Sequence, residues 1–308
     1  MKHLIRILST LLVAATLLTA CTKETSVLPS TAPGKADSTA TSNGGNNNGG
    51  NNGNNNNNHN NNNDLPETLP AIQTAVNVSV NGNIGGFYQA LPARYDSTTK
   101  KYPLLIFLHG IGELGNGGSD LPRLLGNAVP SLLNQKKFPP QFTVGGKNFS
   151  FIVINPQFKA WPQPADVNSM IDYAVQHYRV DATRIYVSGL SMGGGATWDY
   201  AIAYPNRIAA IVPISGASWP GQDQCGNMAK ANLPVWAFHN DDDGTVGSGT
   251  TKSIIYFINT FNPNPLAQMT IWPSGGHDAW TRASNPATRE CNGMNMYEWM
   301  LQYTRPGQ

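Results

Sequence analysis

Ser191 stands out by its neighbours. It sits in Ile185-Tyr186-Val187-Ser188-Gly189-Leu190-Ser191-Met192-Gly193-Gly194-Gly195, an apolar run, then G-x-S-x-G, then a helix-forming stretch. A strand that turns sharply into a helix at a serine lifts the hydroxyl clear of the backbone. It also leaves the Met192 amide unpaired at a helix start, where it can hold a developing oxyanion. The chemistry this suits is nucleophilic attack on a carbonyl carbon.

A serine hydroxyl is a poor nucleophile near neutral pH without a base. Of the six histidines, His3 and His59 lie in segments with no packing character. His177 falls in a helical stretch, and His109 and His239 each end an apolar run. His277, in Ser274-Gly275-Gly276-His277-Asp278-Ala279-Trp280, is in a glycine-rich loop after the last strand-like run and is free to swing onto Ser191. A carboxylate must orient that imidazole. Val235-Trp236-Ala237-Phe238-His239-Asn240 ends in Asp241, Asp242 and Asp243, and the residues alone do not rank the three.

These residues need a scaffold. Ala75–Val80 alternates with period two and precedes the turn signal Asn81-Gly82; Gly86–Leu91 is its expected hairpin partner. Continuous apolar runs follow at Leu104–Leu108, Phe151–Ile154, Ile185–Val187, Ile208–Ile214, Val235–Phe238 and Met269–Trp272. Helical patterns lie at Leu121–Leu133, Val167–Tyr178, Gly193–Tyr204, Ser253–Phe261 and Met296–Tyr303. The alternation predicts an α/β fold: a mainly parallel central sheet, helices on both faces, an antiparallel N-terminal hairpin and no large lid.

Leu108-His109-Gly110, Gly189-Leu190-Ser191-Met192-Gly193-Gly194, His239 to Asp243 and Gly276-His277-Asp278-Ala279-Trp280 together resemble one group of α/β-hydrolases. It is the secreted esterase, polyhydroxyalkanoate-depolymerase and predicted-peptidase group, akin to feruloyl and acetylxylan esterases. The resemblance covers residues 84 to 303 and implies the α/β-hydrolase fold. That family reads H-G-x-x-D around its acid, which selects Asp243, although Asn240 stands where the family has Gly. It also implies that the Ile111 amide, after His109-Gly110, is the second oxyanion donor. His109 is then a support, and Glu113 either shapes that loop or is solvated. No cofactor and no metal are expected.

The remaining features bear on setting and substrate. Lys2 and Arg6 precede an apolar run over Leu8–Leu18 and then Leu18-Thr19-Ala20-Cys21. This resembles a lipoprotein signal, with residues 1–20 cleaved and Cys21 lipidated, and it implies a cell-envelope protein anchored to a membrane. Residues 21–68 are Asn/Gly-rich and too polar to form a core, which leaves residues 69–308 as the catalytic domain, expected as a monomer. In an exported chain the other two cysteines, Cys225 and Cys291, are expected to pair, worth about 4 kcal/mol. Trp161, Trp219 and Trp280 follow strands and are candidates to stack on a substrate. A net charge of +2 without a basic run argues against nucleic acid. The expected activity is hydrolysis of an ester, perched on a polysaccharide or polyester. The alternatives are a serine peptidase of the same fold and a non-catalytic carbohydrate-binding lipoprotein.

Overall fold

The computed structural model describes residues 65–306. Its centre is an eight-stranded sheet built from β1 (Ile72–Val76), β2 (Ile84–Leu91), β3 (Tyr102–Leu108), β6 (Ile152–Phe158), β7 (Val180–Leu190), β8 (Ala210–Ile214), β9 (Trp236–Asn240) and β10 (Gln268–Trp272). The spatial order is β1-β2-β6-β3-β7-β8-β9-β10. β1 and β2 run antiparallel to their neighbours, and the other six strands are mutually parallel. β4 (Phe142–Val144) and β5 (Lys147–Phe149) form a separate hairpin.

Why the parallel strands read as unbroken apolar runs is visible in β3, whose seven residues are all buried. Leu104, Ile106 and Leu108 enter the core on one face of the sheet, with Val167, Met170, Trp198 and Ile254. Leu105 and Phe107 enter the core on the other face, with Val129, Tyr297 and Trp299. The first face is covered by α2 (Pro164–His177), α3 (Met192–Ala203), α4 (Gln222–Lys230) and α5 (Gly249–Asn259). The second is covered by α1 (Ala128–Asn134), α6 (Trp280–Ala283) and α7 (Met296–Leu301). Each fully buried large apolar side chain contributes about 1.5–3 kcal/mol.

The two cores explain why the expected Cys225–Cys291 disulfide does not form. Cys225, on α4, is a free buried thiol in the first core, and Cys291 belongs to the second. The sheet stands between them, and a disulfide needs Cα atoms within about 7 Å.

Several elements depart from the sequence expectation, among them the β4–β5 hairpin and the short helix α6, neither of which was expected. β1 lies earlier than Ala75–Val80, because its ladder pairs Ile72 with Leu91 and Val76 with Phe87. The Asn81 side-chain oxygen accepts the Asn83 and Ile84 amides, both at 2.9 Å, so the chain turns before a longer ladder can form. The Leu121–Leu133 helix is split into a 3-10 segment, Leu121–Gly126, and α1. Pro130 has no amide hydrogen and fits the first turn of a helix but not its interior. α4 was not expected at all, since only Cys225, Met228 and Ala229 mark its buried side chains.

Parallel strands deliver their carboxyl ends to one edge of the sheet. Leu108, Leu190, Asn240 and Trp272 all end there, so the loops carrying His109 to Ile111, Ser191, Asp243 and His277 converge.

Candidate active site

The turn at Ser191 is held from both sides. Its amide donates to Ile214 O at 3.0 Å, and its carbonyl accepts from Gly195 N at 2.9 Å and Ala217 N at 3.1 Å. The backbone is left-handed there, φ 52° and ψ −115°. Such a conformation costs of order 1–3 kcal/mol in a non-glycine residue. Gly193 is needed for close approach: a Cβ on it would meet Leu108 O at 2.1 Å. The start of α3 therefore rests directly on the end of β3.

His277 Nε2 lies 2.9 Å from Ser191 Oγ, and its Nδ1 lies 2.7 Å from Asp243 Oδ2. The His277 side chain is 21% exposed and that of Asp243 is fully buried. Burial alone would raise the Asp243 carboxyl. The hydrogen bond from His277 and the Val246 and Thr245 amides on Oδ1, both at 2.9 Å, outweigh it and hold the group below the ordinary aspartate value. Asp243 is thus kept as a carboxylate facing the imidazole.

The three consecutive aspartates do three different things. Asp241 accepts from Ser248 Oγ and Lys252 Nζ at the surface. Asp242 accepts the amides of Gly275 at 3.2 Å and Gly276 at 2.8 Å. Only Asp243 reaches His277 among the described residues. Asn240, which departs from the family pattern, donates through Nδ2 to Gly276 O at 3.0 Å. Gly275 and Gly276 have φ of 141° and 59°, and a Cβ on Gly275 would meet Asn240 Nδ2 at 2.5 Å. Asp242 and Asn240 together pin the loop that presents His277.

The loop after β3 faces the nucleophile. A Cβ on Gly110 would lie 3.8 Å from Ser191 Cβ. The amides of Ile111 and Met192 make no hydrogen bond to any described residue. Two buried side chains clamp this loop. Glu113 Oε2 accepts the Gly110 amide at 2.6 Å, and its other oxygen accepts from Asn127 Nδ2. Burial raises the Glu113 carboxyl, and the bonds from Asn127 and Gly110 oppose that. His109 Nε2 is 2.9 Å from the Phe158 amide, which can only donate, so the imidazole proton is on Nδ1 and donates to Gly110 O at 2.6 Å. Burial pushes His109 down to about 4, so it is neutral at pH 7. The Gly110 carbonyl and the Ile111 amide share one rigid peptide plane. Fixing the carbonyl therefore aims the amide.

Residues 95–288 match the phospholipase/carboxylesterase family. This chain belongs to that family. Over 145 residues it is 30% identical to the bifunctional acetylxylan esterase/xylanase XynS20E of Neocallimastix patriciarum, covering 46% of this chain and 19% of that protein. It is 26% identical over 163 residues to acyl-protein thioesterase 1 of Saccharomyces cerevisiae, covering 47% of this chain and 72% of that one. Two solved structures share the fold at a TM-score of 0.53. A thermostable esterase is 21% identical, over 76% of this chain and 63% of its own. The feruloyl esterase module from Clostridium thermocellum complexed with sinapinate is 17% identical, over 75% and 91%.

Within this carboxylesterase-family chain the three tryptophans part company. Trp280 packs edge-on against the His277 ring, centroids 5.1 Å apart. Trp161 and Trp219 instead line one cleft together with Asp199, Ile202 and Ala203 of α3. Two residues of the site have roles that the sequence did not give them: Asp242, offered there only as a candidate orienting acid and described above, and His239. His239 is buried, and its Nε2 is 2.7 Å from Val246 O and 3.1 Å from Asp243 Oδ2. Val246 O can only accept, so Nε2 carries the proton and Nδ1 accepts from Thr251 Oγ1 at 2.8 Å. Burial lowers His239 from its ordinary value, against the opposing pull of Val246 and Asp243. The His239-to-Asp243 spacing was the available signal. Cys21 and the rest of the predicted signal and linker up to residue 64 lie outside the described residues.

Proposed function

We propose that this chain is a serine carboxylic-ester hydrolase that works through an acyl-enzyme. The observation that carries the reading is the continuous chain Ser191 Oγ to His277 Nε2 to Asp243 Oδ2, at 2.9 and 2.7 Å, starting from a strained turn. His277 takes the Ser191 proton as Oγ attacks the ester carbonyl. The Ile111 and Met192 amides hold the oxyanion. The tetrahedral intermediate collapses, and the alcohol leaves with the proton from His277. Water, deprotonated by His277, then attacks the acyl-enzyme and releases the acid and Ser191.

The proposed substrate is an ester borne on a polysaccharide. Support comes from the acetylxylan esterase named among the relatives and from a tryptophan-lined cleft whose lining residue Ala217 bonds the Ser191 backbone. Attachment to a membrane through Cys21 belongs to the same proposal, and its support is sequence alone. No helix among the described residues is long and apolar enough to cross a membrane. The test is hydrolysis of p-nitrophenyl acetate, with fluorophosphonate labelling, for the wild type and Ser191→Ala. Label and turnover should vanish together in the variant. A folded wild type that takes no label would sink the reading and favour a binding protein.

A further inference from the structure

We propose that the cleft between Trp161 and Trp219 is a subsite for an uncharged glycan chain, the alcohol side of the ester. The proposal rests on the esterase reading for its orientation toward Ser191. The cleft holds about 610 Å³ and is walled by Trp161 and Trp219, with Gln163, Asp199, Ser218 and Gln224 among its lining residues. It lies next to the turn that carries the nucleophile: its lining residue Ala217 donates its amide to the Ser191 backbone carbonyl at 3.1 Å. On α3 its lining residues are Asp199, Ile202 and Ala203, and at 1.5 Å of rise per residue the first of them is ~12 Å from Ser191. A ligand lying in it extends away from the reacting carbonyl.

The lining chemistry selects the ligand. Trp219 is 74% exposed and Trp161 39%, so their rings stand open to a flat partner rather than filling a core. Asp199 is the lining's sole charged residue. Its Oδ1 accepts from Ser218 Oγ at 2.6 Å, and its Oδ2 makes no hydrogen bond to any described residue. Burial raises this carboxyl, with the Ser218 bond opposing. No lysine or arginine lines the cleft, so an anionic polymer would meet repulsion without compensation. A polyester has no hydroxyl to give Asp199 or the two glutamines, so covering them would cost desolvation. A sugar chain offers ring faces to the indoles and hydroxyl donors to the carboxylate and amides, as bound ligands require of a cleft with few polar groups.

The test uses the full chain carrying Ser191→Ala and reads binding by calorimetry. Xylohexaose, cellohexaose and mannohexaose are the neutral probes, and oligogalacturonate is the anionic one. Saturable binding of a neutral hexaose is expected, weakened at least tenfold by Trp219→Ala and by Trp161→Ala. Tyr256→Ala, an exposed aromatic on α5 outside the cleft, should leave it intact. Circular dichroism checks that each variant is folded. No saturable binding of any neutral hexaose overturns the proposal. So does binding that both tryptophan variants retain, or tighter binding of oligogalacturonate. p-Nitrophenyl acetate turnover by the wild type separates the two readings: turnover without glycan binding sinks the subsite, and binding without turnover sinks the esterase.

Discussion

Asp243→Asn is the sharpest perturbation of the proposed triad, because the neighbours dictate how the amide must sit. Asp243 Oδ1 receives the Thr245 and Val246 amides, both at 2.9 Å. Only the asparagine oxygen can accept them, so its NH2 must take the Oδ2 position. There it faces His277 Nδ1, 2.7 Å away in the wild type. A donor at that point forces Nδ1 to accept and moves the imidazole proton to Nε2. The Nε2 atom 2.9 Å from Ser191 Oγ then carries a hydrogen and is unable to take the serine proton. The change also removes the negative charge that stabilises the imidazolium. In the serine-protease case this same substitution lowers kcat about 10⁴-fold, about 5 kcal/mol of barrier. We expect a loss of that order in kcat for p-nitrophenyl acetate, with KM nearly unchanged. The same NH2 meets the His239 Nε2–H, 3.1 Å from Oδ2 in the wild type. The clash of two donors should cost about 1–3 kcal/mol of stability in urea unfolding. An Asp243→Asn protein that keeps a tenth of wild-type kcat would refute the tautomer argument and remove Asp243 from the triad.

Three further outcomes are expected. Asp242→Ala removes the acceptor for the Gly275 and Gly276 amides and should lower kcat/KM roughly 10-fold, about 1.4 kcal/mol; a loss as large as that of Asp243→Asn would overturn the division of labour between the two. Ser191→Gly relieves a left-handed residue and should raise stability in urea by about 1 kcal/mol while abolishing turnover; a less stable glycine variant would show that the turn is not strained. His109 carries a pH dependence. Its pKa falls from an ordinary value near 6.5 to about 4 in the fold, so on acidification the unfolded chain takes up the proton first. The stability His109 contributes is complete above its unfolded value and is lost as pH falls from there towards about 4, by about 3 kcal/mol. Urea midpoints between pH 7 and pH 4 should therefore fall less steeply in His109→Gln than in the wild type; equal slopes would contradict a buried neutral imidazole.

The sequence by itself determined the parallel strands, the turn at Ser191 and the loop of His277. These rest on local patterns: unbroken apolar runs that can be buried only on both faces, and glycines where a sharp turn leaves no room for a side chain. It also named Asp241, Asp242 and Asp243 together and left them unranked, since three adjacent carboxylates differ in nothing that composition records; the resemblance alone pointed to Asp243. The tertiary structure divided them, because β9 and β10 are neighbours in parallel register and deliver one carboxylate to His277 and the next to the glycine amides behind it. The same holds for His239, whose role depends on Val246 and Thr251 closing around it. Trp161 and Trp219 are far apart in sequence, and only the packing of the β6 and β8 loops beside α3 makes them two walls of one cleft. Cys225 and Cys291 are the converse. Their even number suggested a bond, and the sheet, a long-range object assembled from segments that no local pattern orders, keeps them in separate cores.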